Sequence, residues 1–118
     1  MTITLIQYPK CTTCRKAKAW LTENGVAFDD IHIVEQTPTA EQIRQYHEAS
    51  GLPLKKFFNT SGQKYRELGL KDKLATMTEA DMYALLASDG MLIKRPLVTD
   101  GQKVTLGFKE ADFEATWK

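Results

Sequence analysis

Cys11 and Cys14 stand three positions apart, at the point where a β-branched run gives way to a helical pattern. The run before them, Thr-Ile-Thr-Leu-Ile-Gln-Tyr over residues 2–8, reads as a strand. Ile3, Leu5 and Gln7 point one way and Thr4, Ile6 and Tyr8 the other, so both faces carry apolar groups. That pattern suits an inner strand of a sheet covered on both sides, and Pro9 ends it. After the cysteines, Cys14, Ala17, Trp20 and Leu21 share one helix face from about Thr12 to Asn24, with Lys16, Lys18 and Glu23 on the other. Gly25 provides a C-terminal stop, and Phe28 to Val34 reads as a second strand. Strand, helix and strand make a βαβ unit with parallel strands, and the cysteine pair sits at its first junction.

Beyond the turn Glu35-Gln36-Thr37-Pro38, Thr39 is expected to cap a helix, with Gln42 completing a capping box. This helix carries Ile43, Tyr46 and Ala49 inward and closes at Gly51. Leu54 to Phe58 suggests one helical turn, and Asn59-Thr60-Ser61-Gly62 a polar turn. Short helices are expected up to residue 77, anchored by Tyr65, Leu68, Leu70 and Leu74. Thr78 then caps a helix bearing Met82, Leu85 and Leu86, which ends near Gly90. Met91-Leu92-Ile93 leads into Lys94 to Thr99, Asp100-Gly101 is a hairpin-turn dipeptide, and Lys103 to Leu106 returns. Gly107 is a break before a final helix from about Lys109 that packs Phe113 and Trp117. The order is β-α-β-α, a helical insertion, then β-β-α. With the insertion removed it is an α/β, thioredoxin-like (glutaredoxin-like) arrangement, expected as a single domain over residues 1–118.

At 118 residues, 42% hydrophobic and 26% charged, the chain can build a core. A net charge of +1 gives no support for broad binding to nucleic acid or a membrane surface. Met1-Thr2-Ile3-Thr4 lacks the charged start of a signal peptide. No window approaches the roughly 18–20 apolar residues of a membrane span. A cytoplasmic location follows as the expectation. There a structural disulfide is improbable, and a close cysteine pair points to catalysis, redox sensing or metal binding. Two cysteines do not complete a tetrahedral zinc site, and neither His32 nor His47 lies at finger-like spacing, so no metal or other cofactor is expected.

The reactive form of a cysteine is the thiolate. Cys11 is placed at a helix N-terminus, where free N–H groups favour an anion. Lys10, Arg15, Lys16 and Lys18 add positive charge nearby, and Thr12 and Thr13 offer hydroxyl donors. Cys14, one turn on and facing inward, is expected to be the less accessible thiol. Cys11 then serves as the nucleophile and Cys14 as the resolving thiol that attacks a mixed disulfide or sulfenic acid. The alternative is two ordinary buried thiols behaving as small hydrophobes. Arg95-Pro96 is the second feature. In this fold the strand that begins at Pro96 lies beside the cysteine loop, and a cis bond there would expose backbone to a bound substrate and let Arg95 reach an anion or the Cys11 thiolate. The alternative is a solvated Lys94-Arg95 pair ahead of an edge strand. His32 reads as structural or surface-exposed and His47 as solvated; Phe57, Phe58, Phe113 and Trp117 read as core.

Four stretches carry a family resemblance: Tyr8-Pro9-Lys10-Cys11-Thr12-Thr13-Cys14-Arg15-Lys16-Ala17, Tyr65-Arg66-Glu67-Leu68-Gly69-Leu70, Ile93-Lys94-Arg95-Pro96-Leu97-Val98 and Val104-Thr105-Leu106-Gly107-Phe108. Together they make the chain resemble the ArsC-like branch of thioredoxin-fold proteins, which holds glutaredoxin-dependent arsenate reductases and the Spx/MgsR regulators. The resemblance implies a nucleophile at Cys11 and Arg95 beside a cis Pro96. Arsenate reductases of this type hold the oxyanion with three arginines. Arg95 matches one, while the other two positions fall on Asn59 and Gly107, which weakens the case for arsenate as substrate. Cys14 is an extra thiol relative to those reductases, and the Cys-x-x-Cys is shared with the Spx-type regulators. The resemblance implies a thiol-dependent oxidoreductase with a redox-active disulfide. Its partners would be a thiol reductant (glutathione, glutaredoxin or thioredoxin) and a small oxyanion or disulfide substrate held near Arg95, Pro96, Thr12 and Thr13. The alternative it implies is a redox-sensing regulator that binds the RNA polymerase α-subunit rather than nucleic acid directly.

Overall fold

The computed structural model describes residues 2–118. Strand β1 (Ile3–Gln7) leads to helix α1 (Thr12–Glu23), strand β2 (Phe28–His32) and helix α2 (Ala40–Ser50). The insertion follows as a 3-10 turn at Leu54–Phe57, helices α3 (Gln63–Glu67) and α4 (Leu70–Lys73), a 3-10 turn at Leu74–Thr76, helix α5 (Glu79–Ser88) and a 3-10 turn at Gly90–Leu92. Strands β3 (Leu97–Thr99) and β4 (Val104–Leu106) and helix α6 (Glu110–Trp117) close the chain. The order is the thioredoxin-like one read from the sequence, with the helical insertion before the last two strands.

The sheet runs β2-β1-β3-β4. β1 lies inside it, parallel to β2 with Ile3 opposite Phe28, and antiparallel to β3 with Leu5 opposite Val98. Its alternation sends side chains into two separate cores, as expected of a strand covered on both faces. Leu5 packs with Ala17, Leu21, Val98, Phe113 and Trp117 beneath α1 and α6. Ile6 packs with Ile33, Ile43, Phe57, Phe58 and Leu86 beneath α2, α5 and the insertion. The α1 face is the one the spacing predicts, with Cys14, Ala17, Trp20 and Leu21 all buried. The capping box is present too: Gln42 N–H donates to Thr39 Oγ1 at 3.1 Å and Thr39 N–H to Gln42 Oε1 at 2.9 Å.

Some details differ from expectation. Ala49, near the end of α2, and Leu68, at the C-cap of α3, are exposed rather than packed inward. β2 stops at His32, whose Nδ1 accepts from the N–H groups of Val34 and Glu35 and turns the chain. Asp100-Gly101 turns the last hairpin within a loop of residues 100–103, since Thr99 pairs with Val104. Asp100 Oδ1 holds that loop by accepting from Gln102 N–H and Lys103 N–H. Among the described residues no helix is long and apolar enough to cross a membrane.

Candidate functional site

Pro9 ends β1 and the chain folds back at once: Cys11 N–H donates to Tyr8 C=O at 2.9 Å. Cys11 is then the N-cap of α1, extended at φ −89° and ψ 123°, and its carbonyl accepts the first helical bond from Arg15 N–H at 3.0 Å. No side chain caps this end, so the free N–H groups of the first turn face the cap residue itself. The Cys11 sulfur lies at this end, in the field of those N–H groups. Burial works against its ionisation. The Cys14 N–H, the Cys14 thiol, the Arg95 guanidinium and the Thr13 N–H together outweigh that and hold Cys11 below the usual thiol range.

Cys14 is its opposite. It is fully buried in the first turn of α1, and Tyr8 N–H points at its sulfur from 3.5 Å. Burial pushes its thiol up to about 12, and the neighbouring Cys11 adds to the rise by hydrogen bond and by charge, against the Tyr8 N–H and Arg95. Both cysteines are free thiols in this structure. The arrangement is a partly open thiol with a lowered pKa beside a buried one that keeps its proton.

Arg95 reaches the pair from across the sheet. Extending the antiparallel register of Ile6 with Leu97 puts Arg95 opposite Tyr8. Its guanidinium lies over the Tyr8 ring, 5.3 Å from the centroid, and Nη1 donates to Met91 C=O at 3.5 Å. Arg95 Nε is buried with no partner. The Arg95–Pro96 peptide is cis, and the carbonyl of buried Pro96 accepts from Gly107 N–H at 2.8 Å. Arg95 is therefore half-buried at the site, and the alternative of a solvated Lys94-Arg95 pair does not hold.

Several expected contributors lie elsewhere. Arg15 Nε donates to Pro9 C=O and Lys18 pairs with Asp30 at 2.7 Å, so the cation acting on both sulfurs is the distant Arg95 rather than the adjacent basic residues. Thr12 and Thr13 are exposed beside Cys11, and among the described residues neither hydroxyl makes a hydrogen bond; it is the Thr13 backbone that faces the sulfur. His47 is not solvated as expected. Its Nδ1 lies 2.7 Å from Tyr83 Oη, joining α2 to α5. Among the described residues no three His, Cys, Asp or Glu gather as a metal set.

A cavity of about 310 Å³ opens beside Arg95, with Asn59, Gln63, Lys64 and Met91 in its wall. Asn59 thus shares a cavity with Arg95, a placement that needed the insertion's fold to see. Gly107 is buried at φ +76°, and a side chain there would meet Lys94 Cε at 3.5 Å.

The model of the ArsC family matches residues 6–116. The chain is 62% identical to the uncharacterized protein YusI of Bacillus subtilis, over 99% of each. It is 28% identical to the regulatory protein MgsR of the same organism, over 93% of this chain and 86% of that one. A crystal structure of an ArsC family related protein from Bacteroides fragilis superposes with a TM-score of 0.93 at 50% identity, covering 98% of this chain and 97% of the other.

Proposed function

The chain belongs to the ArsC family, and from that premise we propose that it is a thiol–disulfide redox protein with Cys11 as nucleophile and Cys14 as resolving thiol. The observation that carries this reading is the asymmetry of the two thiols at the start of α1: Cys11 is partly open with a lowered pKa, and Cys14 is fully buried with its pKa raised to about 12. The Cys11 thiolate attacks one sulfur of a disulfide substrate, forming a mixed disulfide and expelling the other sulfur as a thiolate. Cys11 then no longer carries charge or accepts a hydrogen bond. Both of its contributions to the high Cys14 pKa vanish, leaving burial opposed by the Tyr8 N–H and Arg95. Cys14 loses its proton more readily at that stage, attacks the Cys11 sulfur and releases the second substrate thiol. The substrate gains two electrons, and the chain is left with a Cys11–Cys14 disulfide. A thiol reductant of the glutathione, glutaredoxin or thioredoxin class returns it to the dithiol. The resolving thiol is held protonated until it is needed.

In this reading Arg95, Pro96, Thr12 and Thr13 form the substrate side of the Cys11 thiol, with Arg95 supplying the charge. Arsenate is the weaker substrate, since Asn59 and Gly107 stand where the reductases of this family have arginine. The reading places the chain in a reducing compartment, the cytoplasm. The test assays reduction of glutathione disulfide and of arsenate. Cys11→Ser abolishes turnover, and Cys14→Ser accumulates a mixed disulfide visible by intact mass; full activity in Cys11→Ser ends the proposal.

Similarity to the regulatory protein MgsR favours a second reading, in which the same dithiol–disulfide change has a regulatory role; in that reading it controls binding to the α-subunit of RNA polymerase. A pull-down with the carboxy-terminal domain of that polymerase polypeptide, in both redox states, tests it. Absence of binding in either state rules it out.

A further inference from the structure

A second concave surface lies away from the cysteines, along the open edge of the sheet. β4 ends the strand order, so its outer side has no strand partner. The phase of the β3–β4 ladder fixes which groups are free. Gly107 N–H donates to Pro96 C=O and Asp100 N–H to Lys103 C=O, so in the alternation of an antiparallel pair Thr105 also bonds toward β3. Val104 and Leu106 therefore turn their N–H and C=O groups outward. They open into a groove of about 920 Å³.

Four cations ring this groove. Lys55 and Lys56 come from the 3-10 turn at Leu54–Phe57, Lys94 from the segment before Pro96, and Lys109 from the cap of α6. The fold holds the first three on one wall, since Lys94 N–H donates to Phe57 C=O at 2.7 Å and Phe58 bridges to Ile93. Among the described residues none of the four makes a salt bridge, whereas Lys18, Lys64, Lys103 and Lys118 do. Asp112 is the one acidic residue of the lining. Between the lysines the floor is apolar, with Phe58 buried and Val104 and Leu106 half-buried.

We infer that this edge is a docking site for an extended, acidic segment of a partner protein, which adds as a fifth strand beside β4. Free backbone groups with a period of two supply main-chain pairing, and the flanking cations select the partner's charge. A second copy of this chain is disfavoured, because pairing two such edges would bring eight unpaired lysines together. Nucleic acid would use the lysines but leave the apolar floor and the strand-edge groups unused. The inference stands independently of the thiol chemistry, because neither Cys11 nor Cys14 lines the groove.

The test is a titration of the full-length ¹⁵N-labelled chain with a capped peptide of about ten residues alternating valine and glutamate, the length and pattern of an added strand. The expected result is a saturable shift of the Val104 and Leu106 amides together with slowed hydrogen exchange at both. Raised salt weakens it. The double variant Lys55→Glu, Lys109→Glu, at two exposed positions, loses about tenfold or more in affinity while its remaining spectrum stays that of the parent. Four results would each overturn the inference: no shift at Val104 and Leu106, equal binding of the valine–lysine counterpart, binding unchanged in the double variant, or tighter binding of an oligothymidylate at the same amides.

Discussion

The backbone N–H of Tyr8 points at the Cys14 sulfur from 3.5 Å, yet the Cys14 thiol still holds its proton up to about 12. Burial outweighs that bond and is reinforced by the neighbouring Cys11. The unfolded chain releases the same proton at about 8.5. With the folded pKa raised, the stabilising effect is complete below the unfolded value and is lost as pH rises toward the folded one. Stability of the reduced protein therefore falls between about 8.5 and about 12 from this group. Cys14→Ala removes that part of the slope. Urea unfolding of both proteins at a series of alkaline pH values checks it, and identical slopes would show that Cys14 is not the group responsible.

Arg95 acts on the Cys11 sulfur through charge while its own guanidinium rests over Tyr8. Replacing it with leucine keeps bulk and removes the cation. The midpoint for Cys11 alkylation by iodoacetamide moves to higher pH in Arg95→Leu, and the rate at neutral pH falls. Arg15→Leu, whose side chain bonds Pro9 C=O instead, leaves the midpoint in place. A shift in the Arg15 variant as large as in the Arg95 variant would contradict the assignment of the charge.

What is legible in the sequence is local. The spacing of Cys14, Ala17, Trp20 and Leu21 reveals the helix face, and Thr39 with Gln42 the cap, because each depends on residues within a turn or two. The cysteine loop is readable for the same reason. What the sequence hides is long-range. The partner of His47 is Tyr83, thirty-six positions away, and no local pattern announces it. Asn59 joins Arg95 in one cavity only because the insertion folds back along residues 92–94, where Asn59 N–H donates to Leu92 C=O and Phe58 bridges to Ile93. The basic residues beside Cys11 mislead, since proximity in sequence places Arg15 and Lys18 near the sulfur while their side chains find Pro9 and Asp30.

Gly90 is held by its neighbours rather than by its backbone angle. A Cβ there would stand 2.2 Å from Ile33 O and 2.8 Å from Ile33 C, and neither atom belongs to a flexible side chain. Gly25 is the converse, with φ +70° and nothing within 4 Å of a Cβ. Gly90→Ala forces the β2 exit and the Gly90–Leu92 turn apart and costs about 1–3 kcal/mol or more, as overpacking does. Gly25→Ala costs roughly 1–2 kcal/mol from the left-handed backbone alone. Thermal unfolding measures both losses. Crystals of the Gly90 variant show a displaced Ile33 carbonyl and those of the Gly25 variant do not; an unmoved Ile33 beside Ala at position 90 would refute the overpacking account.

Asp30 ties β1 to α1 through two different contacts. The buried Gln7 donates Nε2 to its Oδ1 at 2.8 Å, and Lys18 Nζ meets Oδ2 at 2.7 Å. Burial raises the carboxyl pKa, but the Gln7 hydrogen bond and Lys18 prevail and the folded value lies below the ordinary one. A lowered folded pKa gives stability that is present above the unfolded value, about 3.9, and is lost as pH falls through the folded one. Asp30→Asn keeps an acceptor for Gln7 and removes the charge, so it flattens the acid limb of the stability curve without exposing the Gln7 amide. Lys18→Met leaves the hydrogen bond and loses less than about 1 kcal/mol, because the pair is partly solvated. Gln7→Leu strands a carboxylate beside an apolar side chain, and of the three variants it loses most at neutral pH. An acid limb as steep in Asp30→Asn as in the parent would place the titrating group elsewhere.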